Sequence, residues 1–275
     1  MTTTTAPAVP ARPRAVPPAT RRAGLPGALR SELTKMLSVR STYWTLLALV
    51  VASIGWAALV CAGTHQPSTD FNSTQASLAG QVALGDLIIV VLGALVITSE
   101  YSTGMIRTSL AVMPRRGVLY AAKALVFTAV TLTVSLVTSF ADFFVGQAIL
   151  AGKHLNTTLA QPGVLRAVLL TAAVVTVFGL FAYGTGAVIR HTAGAITAML
   201  GVILVLPLLA QALPESWYES IQRWLPGGSA LSAIVTSANP HSHYLFDAWG
   251  EFAVFCGYAV ALLALGAWSF IRRDA

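Results

Sequence analysis

Long apolar runs separated by short polar segments dominate the chain after residue 42. Because a hydrocarbon core of about 30 Å is crossed by roughly 20 helical residues, each of these runs is a candidate membrane span. The predicted spans are Tyr43–Cys61, Val82–Ser99, Val118–Gln147, Leu165–Ile189, Gly194–Leu213 and Ala248–Ile271. The third is long enough to tilt or to project beyond the bilayer. The pattern therefore predicts an all-α membrane protein with six transmembrane helices over residues 42–275.

A helical period also precedes the first span. Four apolar residues share one face of residues 25–40, namely Leu29, Leu33, Met36 and Leu37. The charged residues keep largely to the rest of the circumference, namely Arg30, Glu32, Lys35 and Arg40. This pattern predicts an interfacial helix over residues 25–41 with its apolar face at the acyl boundary, although a cytoplasmic helix packed on a partner would have a similar pattern. Residues 1–24 are rich in Thr, Pro, Ala and Arg without apolar periodicity, which predicts a disordered cytoplasmic tail.

A polar and basic insert, EYSTGMIRTSLAVMPRR, lies between the second and third spans. It begins at Glu100, Gly104 provides a flexible joint, and residues 105–113 are long enough for about two helical turns. Pro114 then ends the helix because it has no N–H to donate. The insert is thus predicted to form a short helix across the inner membrane surface. Composition alone leaves two interpretations open, which are a positively charged loop that only fixes topology and a docking site for a partner.

Charge distribution supports this orientation. The chain is 56% hydrophobic and only 10% charged, with a mean hydropathy of +0.73, which excludes an ordinary soluble domain. If both termini are cytoplasmic, fourteen of the 17 Lys and Arg residues lie on the inner side. Cytoplasmic loops of membrane proteins carry such an excess, so the insert and both termini are predicted to be cytoplasmic. The net charge of +7 is therefore assigned to membrane lipids rather than to nucleic acid.

The sequence contains no recognisable catalytic, nucleotide or metal site. The nearest approach to a phosphate-binding loop, Gly152-Lys153-His154, lacks both the required spacing and the hydroxyl. The histidines fall in predicted loops without carboxylate or thiol neighbours, so no metal site is predicted. Cys61 and Cys256 lack metal-ligand spacing, but both fall near the outer face, which leaves a disulfide open. Any ATP-driven work would require another chain to hydrolyse ATP.

Few acidic residues fall within or near the predicted spans. Asp86 precedes Glu100 by 14 residues, or about 21 Å along a helix, and so lies in the outer half of the membrane. It is a candidate for a cavity or translocation path, the alternative being a hydrogen bond to a neighbouring helix. Asp142, Asp247 and Glu251 fall at or near outer span ends, where water should reach them. The outer connection after the fifth span contains WLPGGSALSAIV, residues 224–235, which predicts a re-entrant or interfacial helix.

Two stretches resemble a known family. The sequences ALRSELTKMLSVRSTYW, residues 28–44, and SEYSTGMIRTSLAVMPRRGVLYAAKAL, residues 99–125, are similar to the ABC type-2 permeases, in their actinobacterial branch. The resemblance implies a connecting helix that carries Arg30, Leu33, Lys35, Leu37 and Arg40. It also implies a coupling helix that docks in a groove of an ATPase subunit through Glu100, Gly104, Met105, Ile106, Arg107, Leu110, Pro114 and Arg116.

By the same resemblance, the chain is expected to be the membrane subunit of an ATP-binding-cassette exporter in a bacterial plasma membrane. It would pair with a second copy or with a related permease, and two ATPase subunits would bind ATP and Mg²⁺, so this chain itself would hold no cofactor and catalyse no reaction. The apolar spans suit a drug, peptide or lipid-like amphiphile as substrate. The alternatives are a secondary transporter or channel, and a non-transporting immunity or sensing subunit.

Overall fold

Helices form all the regular secondary structure of the residues that the computed structural model describes, which are 24–64, 71–214, 217, 221, 224–236 and 247–272. The helices are α1 (Leu25–Ser38), α2 (Arg40–Gly63), α3 (Ser73–Ser102), α4 (Met105–Val112), α5 (Arg116–Ala151), α6 (Val164–Ile189), α7 (Thr192–Gln211), α8 (Pro226–Ile234) and α9 (Ala248–Arg272). The predicted tail and most of the last outer connection lie outside the described residues.

Six helices are long and apolar enough to cross a membrane, namely α2, α3, α5, α6, α7 and α9. They confirm the six predicted spans, with two extensions. Helix α3 starts at Ser73 rather than Val82, because the Asn72 side chain accepts hydrogen bonds from the N–H groups of Thr74 and Gln75 and caps a polar first turn. Helix α5 has 36 residues and so measures about 54 Å, which exceeds the hydrocarbon thickness.

Helix α6 lies at the centre of the bundle. Of its most apolar stretch 72% is buried, against 22% for α2 and 17% for α7. Helices α3, α5 and α9 pack against it. In the contact with α9, the ring of Phe181 on α6 stacks on the ring of Phe255. Helices α2 and α7 therefore lie at the periphery, where their apolar side chains face the surroundings of this chain.

Helices α3 and α6 approach each other closely at Gly93. A Cβ atom built at this position would clash with the backbone carbonyl of Gly179 on α6. Small residues at such crossings are typical of membrane helices, because they let two backbones approach.

We predict that Gly93→Ala destabilises the protein by about 1–3 kcal/mol, because the added methyl must separate the two helices or strain them. Thermal unfolding in detergent measures the effect. Gly55→Ala on α2 is the matched control, since a Cβ atom there meets nothing within 4 Å. Equal unfolding temperatures for the two variants would contradict the close crossing.

Buried polar contacts join α2, α3 and α5 in the half of the bundle that is predicted to be the outer one. The Ser53 hydroxyl donates to the Asp142 carboxylate at 2.5 Å, and the Gln81 amide donates to the Ser135 carbonyl at 2.9 Å. The prediction that water reaches Asp142 is wrong, because its position on α5 faces α2 and is fully buried. It is also wrong for Glu251, which is 4% exposed within α9. Asp247 is exposed as predicted, and its carboxylate accepts a hydrogen bond from the Gly250 N–H.

The connections that are predicted to be extracellular brace the ends of the spans. The Lys153 ammonium donates to the carbonyls of Cys61, Ala62 and Thr64 at 3.0, 2.6 and 2.7 Å, so a cation caps the C-terminus of α2. Helix α8 confirms the helix predicted within residues 224–235 and packs on α6 and α9. Cys61 and Cys256 are both free thiols, so they form no bridge.

Candidate functional site

Four charged side chains meet where α1, α3 and α5 converge, at the end of the bundle that the charge distribution predicts to be the inner one. Glu32 and Lys35 come from α1, Glu100 comes from the end of α3, and Lys123 comes from the second turn of α5. We call these four residues the inner ion cluster. It joins the connecting helix, the second span and the third span in one set of contacts.

Each lysine of the inner ion cluster bridges both glutamates. Lys123 Nζ lies 2.5 Å from Glu32 Oε2 and 2.8 Å from Glu100 Oε1. Lys35 Nζ lies 2.9 Å from Glu32 Oε1 and 3.3 Å from Glu100 Oε1. Lys35 also donates to the Ser109 hydroxyl on α4 at 3.0 Å, so the short surface helix is tied to the same cluster.

Burial makes the pairing within the cluster necessary. The side chains of Glu32, Glu100 and Lys123 are only 4%, 3% and 6% exposed, and an unpaired charge at such a depth would be very unfavourable. The two lysines and the two glutamates of the cluster together carry no net charge. Burial disfavours ionised Glu32, but the charges and hydrogen bonds of Lys123 and Lys35 together outweigh burial and lower the pKa of Glu32. Burial likewise disfavours charged Lys35, but the hydrogen bonds and negative charges of Glu32 and Glu100 together outweigh burial and raise the pKa of Lys35.

The placement of Glu32 differs from the sequence prediction. It was expected on the exposed charged side of the connecting helix, but it is buried on the same side of α1 as Ala28 and Met36, four residues before and after it. Leu33 and Leu37 are exposed and so remain available to lipid. Glu32 can be buried because Lys123 on α5 supplies its counter-charge. The sequence of α1 alone gives no sign of this contact.

Helix α4 has one anchored side and one exposed side. It begins after Gly104, whose φ of 69° is left-handed and favours glycine. Ile106 within α4 and Met113 directly after it are buried, with 3% and 6% of their surface exposed. They pack with apolar side chains of α1, α3 and α5. The side chains that face outward are Met105, Arg107, Thr108 and Ala111.

The other predicted coupling residues divide between these two sides. Glu100 is buried in the inner ion cluster, and Leu110 is half-buried against the apolar layer beneath α4. Pro114 is exposed in the turn after α4, and the Arg116 guanidinium donates to the Ile271 carbonyl at 3.4 Å. Glu100 is therefore placed to hold the insert, whereas Arg107 is exposed at the surface of α4.

The predicted connecting helix is divided at Val39. Its extended backbone, with φ −83° and ψ 116°, ends α1 at Ser38, and Arg40 becomes the first residue of α2. Arg30 is exposed on α1, and Lys35 is the one predicted connecting residue that enters the inner ion cluster. This break lets α1 leave the direction of the first span and lie against α5.

A cavity of about 140 Å³ borders the inner ion cluster between α1, α2, α3 and α5. A second cavity, of about 400 Å³, lies between α3, α6, α7 and α8 and is bordered by Asp86. Among the described residues, no three His, Cys, Asp or Glu side chains are grouped so that they could hold a metal ion.

Six helices that are long and apolar enough to cross a membrane define a multi-pass membrane protein. The chain belongs to a family described as ABC-2 family transporter proteins, whose model matches residues 40–275. The match confirms the family resemblance and identifies the chain as a permease subunit of an ABC transporter. Helix α1, with two members of the inner ion cluster, precedes the matched region. No curated protein sequence matches the chain.

Proposed function

We propose that this chain forms the translocation path of an ABC exporter and that a separate ATPase subunit drives it through the exposed side of α4. The observation that carries the proposal is the division of α4 into two sides. One side is anchored by Ile106, Leu110 and Met113, while Met105 and Arg107 are exposed and have no role in the core. Such a helix can receive force on one side and transmit it on the other.

The contacts of α4 supply the route of transmission. A displacement of α4 acts on α1 through the hydrogen bond between Ser109 and Lys35. It acts on α5 through the apolar layer and through Lys123, which shares both glutamates with Lys35. Because packed helices move as near-rigid bodies, closure of an ATPase pair beneath two permeases would shift these spans together. ATP and Mg²⁺ would be held by the ATPase subunits.

The peripheral helices support pairing with a second permease. Apolar side chains of α2 and α7, among them Leu59 and Leu208, are 68% and 66% exposed. A partner permease, either a second copy or a related chain, would cover part of this surface and enclose a path between the two subunits. Lipid would cover the rest. The apolar side chains of the spans that would line this path favour a drug, peptide or lipid-like amphiphile over a free ion as the exported substrate.

The proposal requires α4 and both chain termini to face the cytoplasm of a bacterial cell. Surface labelling tests this requirement with single cysteines in a chain that carries Cys61→Ala and Cys256→Ala. We expect a cysteine introduced by Arg107→Cys to react with a membrane-impermeant maleimide only after the cells are opened. Asn156→Cys, exposed in the connection between α5 and α6, should react in intact cells and serves as the control. Labelling of the Arg107→Cys position from outside would overturn the proposed coupling.

A further inference from the structure

We propose that the cavity beside Asp86 binds the cationic head of an amphiphile. This cavity, here called the Asp86 cavity, has a volume of about 400 Å³ and lies between α3, α6, α7 and α8. Its volume falls within the range of about 300–1,000 Å³ that is usual for small-molecule sites. The inference deepens the proposed export function by naming a ligand class and a site within this subunit.

Asp86 supplies the charge that selects the ligand. The residue is 6% exposed, and among the described residues no group forms a hydrogen bond to its Oδ1 atom. A carboxylate buried in a membrane protein is unfavourable unless a cation or hydrogen-bond donors compensate it. The buried ions of the inner ion cluster satisfy this requirement with lysines, and the Asp86 cavity leaves the corresponding position open to a ligand.

The walls of the cavity determine what kind of cation fits. Apart from Asp86, Gln211 is the other polar side chain among the described residues that line it. The remaining side chains are apolar, among them Phe178 on α6, Ile203 on α7 and Leu231 on α8. A hard metal ion such as Ca²⁺ takes six to eight oxygen ligands, which one carboxylate and one amide do not supply. An organic ammonium with an apolar body matches both the charge and the walls.

Two irregular helical turns border the same cavity. Residues Gln81–Gly85 form a π-helical turn directly before Asp86, and Gly201–Val205 form another in α7. Each turn contributes lining residues, Val82 from the first and Ile203 from the second. Such turns are rare and occur frequently at functional sites. Their presence on two different spans at one cavity is independent of the charge argument and also points to a binding site.

Binding to the purified permease tests the inference without the ATPase. The probes are a fluorescent long-chain alkylammonium and its N-acetylated, uncharged analogue of similar size, titrated against the protein in lipid nanodiscs. We expect Asp86→Asn to weaken binding of the cation by about tenfold or more, because the buried counter-charge is lost. Binding of the uncharged analogue should change by less than about twofold.

A second variant keeps the charge and removes the space. Gly227 lines the Asp86 cavity, and a Cβ atom there meets nothing within 4 Å, so Gly227→Phe should fill the cavity without a backbone clash. We expect this variant to weaken binding of the cation by about tenfold or more. Gly257→Phe on α9 is the matched control, since its Cβ position is equally open and it does not line the Asp86 cavity. It should bind the cation as the unsubstituted protein does.

Three results would overturn the ligand assignment. They are equal cation binding by Asp86→Asn and the unsubstituted protein, equal binding of the charged and uncharged probes, and unchanged cation binding by Gly227→Phe. A measurement of ATPase stimulation, made after the same permease variants are reconstituted with the partner ATPase, separates the two proposals. Stimulation without cation binding would exclude only the Asp86 site, and cation binding without stimulation would exclude only the coupling through α4.

Discussion

Lys123→Met should destabilise the permease by about 3–5 kcal/mol, the usual effect of removing one partner from a buried ion pair. The substitution leaves Glu32 and Glu100 buried with Lys35 as their remaining lysine in the cluster, and the Lys35 side chain is already 33% exposed. Methionine preserves most of the side-chain volume, so the change isolates the charge. Thermal unfolding in detergent, together with the yield of folded protein, measures the effect.

Two further variants make the Lys123 experiment decisive. Arg107→Met removes an exposed cation from α4 and should change stability by no more than about 0.5 kcal/mol. The double variant Lys123→Met with Glu100→Gln restores the charge balance and should be more stable than Lys123→Met alone, since residues in one network are not additive. If Lys123→Met unfolds at the same temperature as the unsubstituted protein, the inner ion cluster does not hold the helices together.

Met105→Asp combined with Arg107→Asp should reduce permease-dependent stimulation of the partner ATPase by about tenfold or more. Both side chains are exposed on α4, so two new carboxylates would meet an apolar or acidic groove while the fold stays intact. The measurement is ATPase activity of the reconstituted complex, with the unfolding temperature of the permease as a parallel readout. We expect that temperature to be unchanged.

Arg272→Asp provides a control for charge reversal at the same end of the bundle as α4. Arg272 is exposed near the end of α9, and its substitution should leave ATPase stimulation within about twofold. Full stimulation in the α4 double variant would exclude docking through this helix. Transport that follows an ion gradient and continues without ATP would instead favour the secondary-transporter class.

The six spans could be predicted from sequence because lipid imposes one simple requirement, a helix of sufficient apolar length. The same requirement explains the misplaced start of α3. Its polar first turns, Ser73–Gly80, lack the apolar composition of a membrane span. They become helical through the Asn72 cap and through contacts with α2 and α5. Apolar length thus identifies the part of a helix that crosses lipid but not the part that packs against other protein.

The inner ion cluster could not be predicted in the same way. Glu32 and Lys123 are 91 residues apart, and the helical period of α1 describes only α1. Glu32 therefore resembled any other charged residue on a surface helix. Glu100 was singled out by its position at the end of an apolar run, but its burial against two lysines depends on how α1 and α5 cross. For the same reason Asp142 and Glu251 were assigned to water, although the bundle interior covers both.

Helix α1 ends before residue 40, where the match to the transporter family begins, yet it provides half of the inner ion cluster. A chimera that joined the leading helix of another permease to residues 40–275 would bring together halves with unrelated charges. Glu100 and Lys123 would then pack against a leading helix that need not carry a Glu and a Lys at the positions of Glu32 and Lys35. Exchange of segments between such permeases should therefore succeed only when the crossover lies upstream of Leu25, so that the native leading helix travels with its own spans.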